Sequence, residues 1–306
     1  MQKYGQRRGV QRYRCLSCTQ SFQSKRRPQK KQKSLYQRYT WGKQSLTELS
    51  RTEDRSVPWV RRQLDAATPA HESLLPQPTV IVADTTFWGR SYGVCVFRSP
   101  SLKRNICWTE VEQETGAIYA QSLKGLLERG WTVPAAVIDG RRGVARVFEA
   151  RGIPVQFCQF HQMKTVTKYL TRTPKTEAGQ QLRRLACTLH KTNEQDFTSA
   201  LATWLATHES FLNERSIAPH TKRGWEYTHR KLKSAYRSLK TNLPYLFTYQ
   251  KYPELCIPNT TNSLDGFFSQ LKKKVGAHGG LRKDRRFKMI SAILATSSQR
   301  PTQKDH

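Results

Sequence analysis

Two short apolar, β-branched runs in this chain each lead into an aspartate: TVIVADTTF carries Asp84 and AAVIDG carries Asp139. Runs of that kind are strands buried on both faces, as in the interior of a sheet covered by helices, and the acid marks where the buried run stops and a loop begins. A third acid, Asp265 in NTTNSLDGFFSQLKKK, opens a helical segment more than 120 residues beyond Asp139. An Asp at a strand end also serves simply to cap a loop, and one in a first helical turn simply complements the helix dipole. Three carboxylates gathered from such separated elements repel one another, and divalent cations held between them are the usual compensation.

Charge narrows the substrate. The 306 residues include 53 Lys and Arg against 22 Asp and Glu, a formal charge of +31, which a polyanion exploits and a neutral partner does not need. Residues 1–31 hold ten Lys or Arg and no acid, whereas residues 79–165 hold eleven basic and seven acidic residues. Binding and chemistry therefore separate along the chain, although a basic tail that only solubilises gives the same counts. With nucleic acid as partner, two Mg²⁺ ions about 4 Å apart, or Mn²⁺ in their place, suit attack on a phosphodiester. GxxxxGK[ST] and GxGxxG do not occur, so no nucleotide cofactor is implied. No apolar run reaches the roughly 18 residues of a membrane span. Seven cysteines at irregular spacing argue against a disulfide scaffold and for a reducing, cytoplasmic setting, nucleoid-associated if DNA is the partner.

The order of elements suggests six stretches. Residues 1–33 form a basic segment in which KYGQRRGVQRYRCLSCTQSFQ reads as two strands closing on Cys15 and Cys18, with Tyr13 and Phe22 as a small core. This looks like the second half of a zinc ribbon, since a tetrahedral Zn²⁺ site takes two such knuckles, so that either the chain begins inside the module or another group completes it; a basic, poorly ordered arm is the alternative. Residues 34–72 read as a helix-turn-helix-like domain, with Ser45 and Ser56 as caps and Val60 and Leu64 on the buried face. Its third helix would present Trp59, Arg61, Arg62 and Gln63 to DNA.

The stretch TPAHESLLPQP is a linker. Residues 78–171 read as strands at 79–87, 91–98 and 104–110, a helix at 116–129, a strand at 134–139, a helix at 143–151, a strand at 153–158 and a helix at 161–171. A three-strand meander followed by alternating helix and strand is the order of an RNase H-like mixed α/β sheet, in which the first strand is central and the fourth lies beside it. Residues 172–250 show helical periods without strand signals and form a helical insertion, whose Trp225, Tyr227, Tyr236, Arg230, Lys231 and Lys233 are core aromatics with solvated charges or a grip on DNA. Residues 251–296 hold a catalytic helix, capped by Asn262 or Ser263 and packed through Leu264, Phe268, Leu271 and Val275, then a basic segment. Lys272, Lys273, Lys274, Arg282, Lys283, Arg285 and Arg286 extend a cationic surface for phosphate, and residues 297–306 are a tail.

Four stretches together resemble the Mutator-type transposases of the bacterial insertion-sequence branch of DDE recombinases. They are QRYRCLSCTQSF, ADTTFWG, VIDGRRGV with CQFHQMKTVTKYL after it, and NTTNSLDGFFSQLKKKVGAHGGLRKDRR, which span nearly the whole chain. The resemblance implies a catalytic, Mg²⁺-holding triad at Asp84, Asp139 and Asp265. It implies cleavage at the terminal inverted repeats of an element, joining of the freed 3′-hydroxyl to target DNA, and a dimer or larger assembly on DNA. It assigns Cys158 and His161, a C-x-x-H pair, a supporting role beside the acids. The family ordinarily carries glutamate at the third position, where this chain has Asp265, shorter by one bond of about 1.5 Å. That departure and the single CxxC also suit a degenerate relative that binds DNA without catalysis.

Overall fold

The computed structural model describes residues 1–7, 10–23, 28–68 and 74–295, so the tail at 297–306 and the middle of the linker lie outside the described residues. The chain forms two compact units, one from residues 1–71 with 273–293 and the other from 72–272, resuming at Leu294.

In the first unit, β1 (Gln2–Arg7), β2 (Val10–Arg14) and β3 (Ser21–Gln23) form an antiparallel sheet in that order. The sheet has a strand more than the expected pair, because KYGQR extends ahead of the Cys15–Cys18 turn and pairs with β2. Tyr13 faces Phe22 across the sheet with ring centroids 6.0 Å apart, but Phe22 is 43% exposed, so the two rings make a surface stack instead of a core.

Helices α1 (Pro28–Thr40), α2 (Leu46–Glu53) and α3 (Val57–Ala66) follow. Ser45 caps α2 through a capping box: its hydroxyl accepts from the Glu48 amide while the Glu48 carboxylate accepts from the Ser45 amide. Ser56 occupies the corresponding place before α3 but makes no side-chain cap bond, and Pro58 in the first turn removes one amide that would otherwise need a partner. Val60 and Leu64 are buried, as their spacing predicts.

The second unit is built on β4 (Ile81–Phe87), β5 (Gly93–Ser99), β6 (Arg104–Val111), β7 (Ala136–Ile138) and β8 (Val155–Phe157), with α4 (Gly116–Glu128), α5 (Arg142–Glu149) and α6 (Gln159–Leu170) between and after them. Among the described residues the strands form one mixed sheet in the order β6-β5-β4-β7-β8: β4, β5 and β6 are antiparallel, while β7 and β8 run parallel to β4. The first strand is therefore central and the fourth lies beside it, as expected. Trp88 to Tyr92 turn β4 into β5, with Gly89 at φ +81°. This turn and its flank spell Gly89-Arg90-Ser91-Tyr92-Gly93, the GxSxG spacing of a serine-hydrolase elbow, but it joins two antiparallel strands and not a strand to a helix, so Ser91 lacks that context.

A Cβ on Gly93 would stand 2.6 Å from the Phe87 ring and 2.8 Å from the Thr86 carbonyl oxygen. Because one of those atoms is backbone, Gly93→Ala is expected to destabilise the unit by about 1–3 kcal/mol, the usual penalty of overpacking. A urea midpoint equal to wild type would show that the hairpin yields without strain.

Helices α7 (Glu177–Cys187) and α8 (Glu194–Asn213) extend the core through Leu182, Phe197, Leu201 and Trp204. The insertion is not purely helical, because β9 (Arg215–Ile217) and β10 (Trp225–Tyr227) pair as an antiparallel hairpin before α9 (Arg230–Leu246) and α10 (Thr248–Lys251). The equally short β7 and β8 are buried apolar runs, whereas β9 is exposed and β10 only half-buried, so neither of these gives an apolar run to show in sequence. The Arg215 guanidinium stands 4.1 Å over the Trp225 ring, the Lys233 ammonium 3.3 Å over Tyr227, and Tyr236 stacks on Trp204 at 5.5 Å. These aromatics are thus half-buried and engaged within the protein.

Helix α11 (Asn262–Gly276) buries Leu264, Phe268, Leu271 and Val275, as their spacing predicts, and α12 (Lys283–Ala295) buries Met289, Ile290 and Ile293. The residue ahead of α11 is Thr261, whose carbonyl accepts from the Leu264 and Asp265 amides, so the helix begins one residue before the expected caps take effect. Among the described residues no helix is long and apolar enough to cross a membrane.

Candidate functional site

Asp84 does not end its strand. It sits inside β4, opposite Val96 of β5, while on the other side the parallel ladder with β7 stops at Val82. The shorter neighbour is what opens the site: β7 ends at Ile138, Asp139 follows at once, and the two acids lie where one central strand outruns the next. Glu114, from the loop between β6 and α4, completes the group. Asp84, Glu114 and Asp139 each offer one carboxylate oxygen within 4.8 Å of the others, and all three are partly buried. Glu114 does not stand out in the sequence, because TEVEQETG holds glutamates at 110, 112 and 114 with nothing to single one out; its place just ahead of Thr115, the residue before α4, is the signal there.

Each acid is held by named donors. The Thr85 amide donates to Asp84 Oδ1 at 2.8 Å. Arg141 lies between the other two: its Nε donates to Asp139 Oδ2 at 3.2 Å, its amide to Oδ1 at 3.3 Å, and its Nη2 reaches Glu114 Oε2 at 2.7 Å. The Tyr119 hydroxyl donates to Glu114 Oε1 at 2.7 Å and lies 3.1 Å from the Thr85 hydroxyl.

Burial, reinforced by the charges of Asp139 and Asp265, pushes the Asp84 carboxyl up to about 7, against the opposing influence of the Thr85 amide and His161. Burial likewise raises Glu114 above the usual carboxylate range, despite Tyr119 and Arg141. Burial would lower the Arg141 guanidinium, but Glu114 and Asp139 together hold it above its ordinary value. A pocket that makes two carboxylates reluctant to ionise, with a cation already bridging two of the three, has room for more positive charge. Hard oxygen donors at this spacing fit a divalent cation such as Mg²⁺ or Mn²⁺.

Asp265, one turn into α11, lies outside that set of three. Its Oδ2 accepts from the Thr261 hydroxyl at 3.3 Å, and its charge helps to raise both Asp84 and His161. Cys158, fully buried ahead of α6, and His161 in its first turn adjoin the same threonine: the Thr261 hydroxyl is 3.3 Å from Cys158 Sγ and 3.3 Å from His161 Nδ1. Burial would raise the Cys158 thiol, yet hydrogen bonds with His161 and Thr261 hold it below its ordinary value. Its hydrogen bond with Cys158, foremost, raises His161.

The residues expected to meet DNA divide by environment. Arg61 and Arg62 are exposed on α3, with Trp59 and Gln63 half-buried beside them. Lys272 and Lys273 are exposed on α11, whereas Lys274 stands 3.3 Å over the Trp41 ring. Arg285 makes a two-pronged contact with Asp65, at 2.7 and 2.6 Å, and Arg282 chelates Asp284 at 3.2 and 3.0 Å, so both are engaged within the protein; Arg286 donates to the Leu281 carbonyl at 3.3 Å.

Cys15 and Cys18 are free thiols in the β2–β3 turn, and a hydrogen bond with Ser17, foremost, lowers Cys15 to about 6. Two thiols are half of a tetrahedral Zn²⁺ set. No protein-family model matches the chain, and no curated protein matches it in sequence.

Proposed function

We propose that this chain is a DDE-type transposase with an RNase H-like catalytic core, which binds the terminal inverted repeats of an element and cuts and joins DNA with the help of Mg²⁺ or Mn²⁺. The observation that carries this reading is the meeting of Asp84, Glu114 and Asp139 at the point where central strand β4 outruns β7. The sheet order, the charge of +31 and the four stretches similar to Mutator-type transposases support it.

Asp84 and Asp139 would hold the cation, with Glu114 beside them and Asp265 supplied from α11. When bound, such a cation withdraws charge from the phosphoryl oxygens and acidifies the attacking water or 3′-hydroxyl. Burial and the neighbouring acids disfavour the ionised form of Asp84, and a bound cation would offset that by favouring the carboxylate. Arg141 keeps Asp139 and Glu114 from repelling each other and fixes their spacing. The exposed Arg61, Arg62, Lys272 and Lys273 supply phosphate contacts that fall off with salt. Pairing two DNA ends calls for a dimer or larger assembly, working at the nucleoid.

The test is cleavage and joining of labelled DNA carrying the element's ends, with Mg²⁺ or Mn²⁺, beside Asp139→Asn. Wild type is expected to yield both cut and joined products, and the variant at least about 10³-fold less of each, since losing several kcal/mol of charge stabilisation slows a step by that order. Ends that are bound but not cut, with or without metal, would identify a non-catalytic DNA-binding relative. Cut ends that are never joined would identify a nuclease.

A further inference from the structure

The third acid is the one carboxylate of the proposed triad that no strand positions. It sits on α11, and the segment just ahead of that helix is tied to the start of α6. The Asn259 carbonyl accepts from the Gln159 amide at 2.9 Å, and the Asn259 side chain donates to Gln159 Oε1 at 3.1 Å. Gln159 also donates to the Leu246 carbonyl at 2.9 Å, so the start of α6 is tied to the end of α9 as well. Two residues later, the Thr261 amide donates to Cys158 Sγ at 3.3 Å. Thr261 is fully buried. Its hydroxyl lies 3.3 Å from each of three groups: Cys158 Sγ, His161 Nδ1 and Asp265 Oδ2. One hydroxyl has one proton and two lone pairs, so it can accept from His161 while donating to Asp265, which couples the acid to α6 through a single side chain.

We infer that Thr261 is a positioning residue that holds the Asp265 carboxylate against the Cys158–His161 pair at the start of α6. This rests on the reading of Asp265 as the third acid. The threonine methyl is not the operative part. A hydroxyl is required because it alone can face a ring nitrogen and a carboxylate at once; valine has the same shape and meets both with a methyl group, so the half-buried Asp265 loses this donor and the half-buried His161 keeps its bond with Cys158 but loses the one to Thr261. A catalytic carboxylate needs placement within about 0.5 Å, and an aspartate, short by one bond against the glutamate of the resembled family, has less reach with which to compensate a shift of the helix.

The experiment compares wild type, Thr261→Val and Thr261→Ser in three measurements: Mn²⁺ binding by calorimetry without DNA, cleavage rate as a function of Mn²⁺ concentration, and the urea midpoint. For Thr261→Val, we expect the maximal cleavage rate to fall about 10-fold or more and Mn²⁺ affinity to fall several-fold, as when an outer-shell partner of a ligand is removed. For Thr261→Ser, which keeps the hydroxyl, both are expected within about threefold of wild type. Valine behaving as wild type overturns the inference, and so does serine failing as badly as valine, which would point to the methyl group and packing. A lower urea midpoint shared equally by both variants with no difference in Mn²⁺ affinity also overturns it. If wild type binds Mn²⁺ but cuts no DNA, the proposed function fails on its own account, and the valine-serine difference in Mn²⁺ affinity still decides the role of Thr261.

Discussion

Asp84→Asn is expected to abolish metal-dependent DNA cleavage, by about 10³-fold or more, and at the same time to make the metal-free protein more stable above pH 7. The second effect follows from the raised carboxyl. In the folded protein Asp84 takes up its proton near pH 7, whereas in the unfolded chain it does so near 3.8. Between those values the native state binds more protons, so the stability owed to this group falls as pH rises from about 4 to about 7 and is level beyond. A shift of about three units corresponds to roughly 4 kcal/mol as an upper bound, at about 1.4 kcal/mol per unit. Asparagine has no such titration, and its gain over wild type should therefore be small at pH 4 and grow to about 2–4 kcal/mol at pH 8. Urea unfolding in a chelator at the two pH values measures it. A variant less stable than wild type at pH 8 would mean that Asp84 is already comfortably ionised and that its neighbours do not crowd it. Mn²⁺ should reverse the ranking, because a cation bound only to the native wild type stabilises it in proportion to the logarithm of its concentration.

The second large effect concerns the acid that sequence reasoning did not select. Glu114→Gln is nearly isosteric and keeps a hydrogen-bond acceptor for Tyr119, but it removes the charge that pairs with Arg141 and stands within 4.8 Å of the two aspartates. Mn²⁺ affinity is expected to fall about 10–100-fold, because carboxylate count tunes affinity in oxygen-ligand sites and the Arg141 charge would then be shared with Asp139 alone. Asp265→Asn provides the comparison. An affinity for Glu114→Gln within about twofold of wild type, beside a large loss for Asp265→Asn, would assign Glu114 to holding Arg141 in place and leave the metal to the three aspartates.

The strands and helices of the second unit were legible because burial on both sheet faces forces continuous β-branched runs, and amphipathic helices carry their period openly. Asp84 and Asp139 stood out for the same reason: each interrupts such a run. Glu114 did not, since a loop imposes no period against which one glutamate among three could be noticed. The β9–β10 hairpin was invisible because its strands lie at the surface and carry no buried apolar run, and Ser56, a cap by position, makes no cap bond.

The division has a physical basis. Local chemistry in the sequence determined which segments are buried strands, which residues face the core and which acids follow buried apolar runs, because those properties depend on neighbours a few residues away. Register and proximity do not. That β7 stops beside Val82, that Arg141 lies between Asp139 and Glu114, and that Thr261 meets Cys158, His161 and Asp265 were decided by elements up to about a hundred residues apart in the chain coming together, which only the tertiary structure sets.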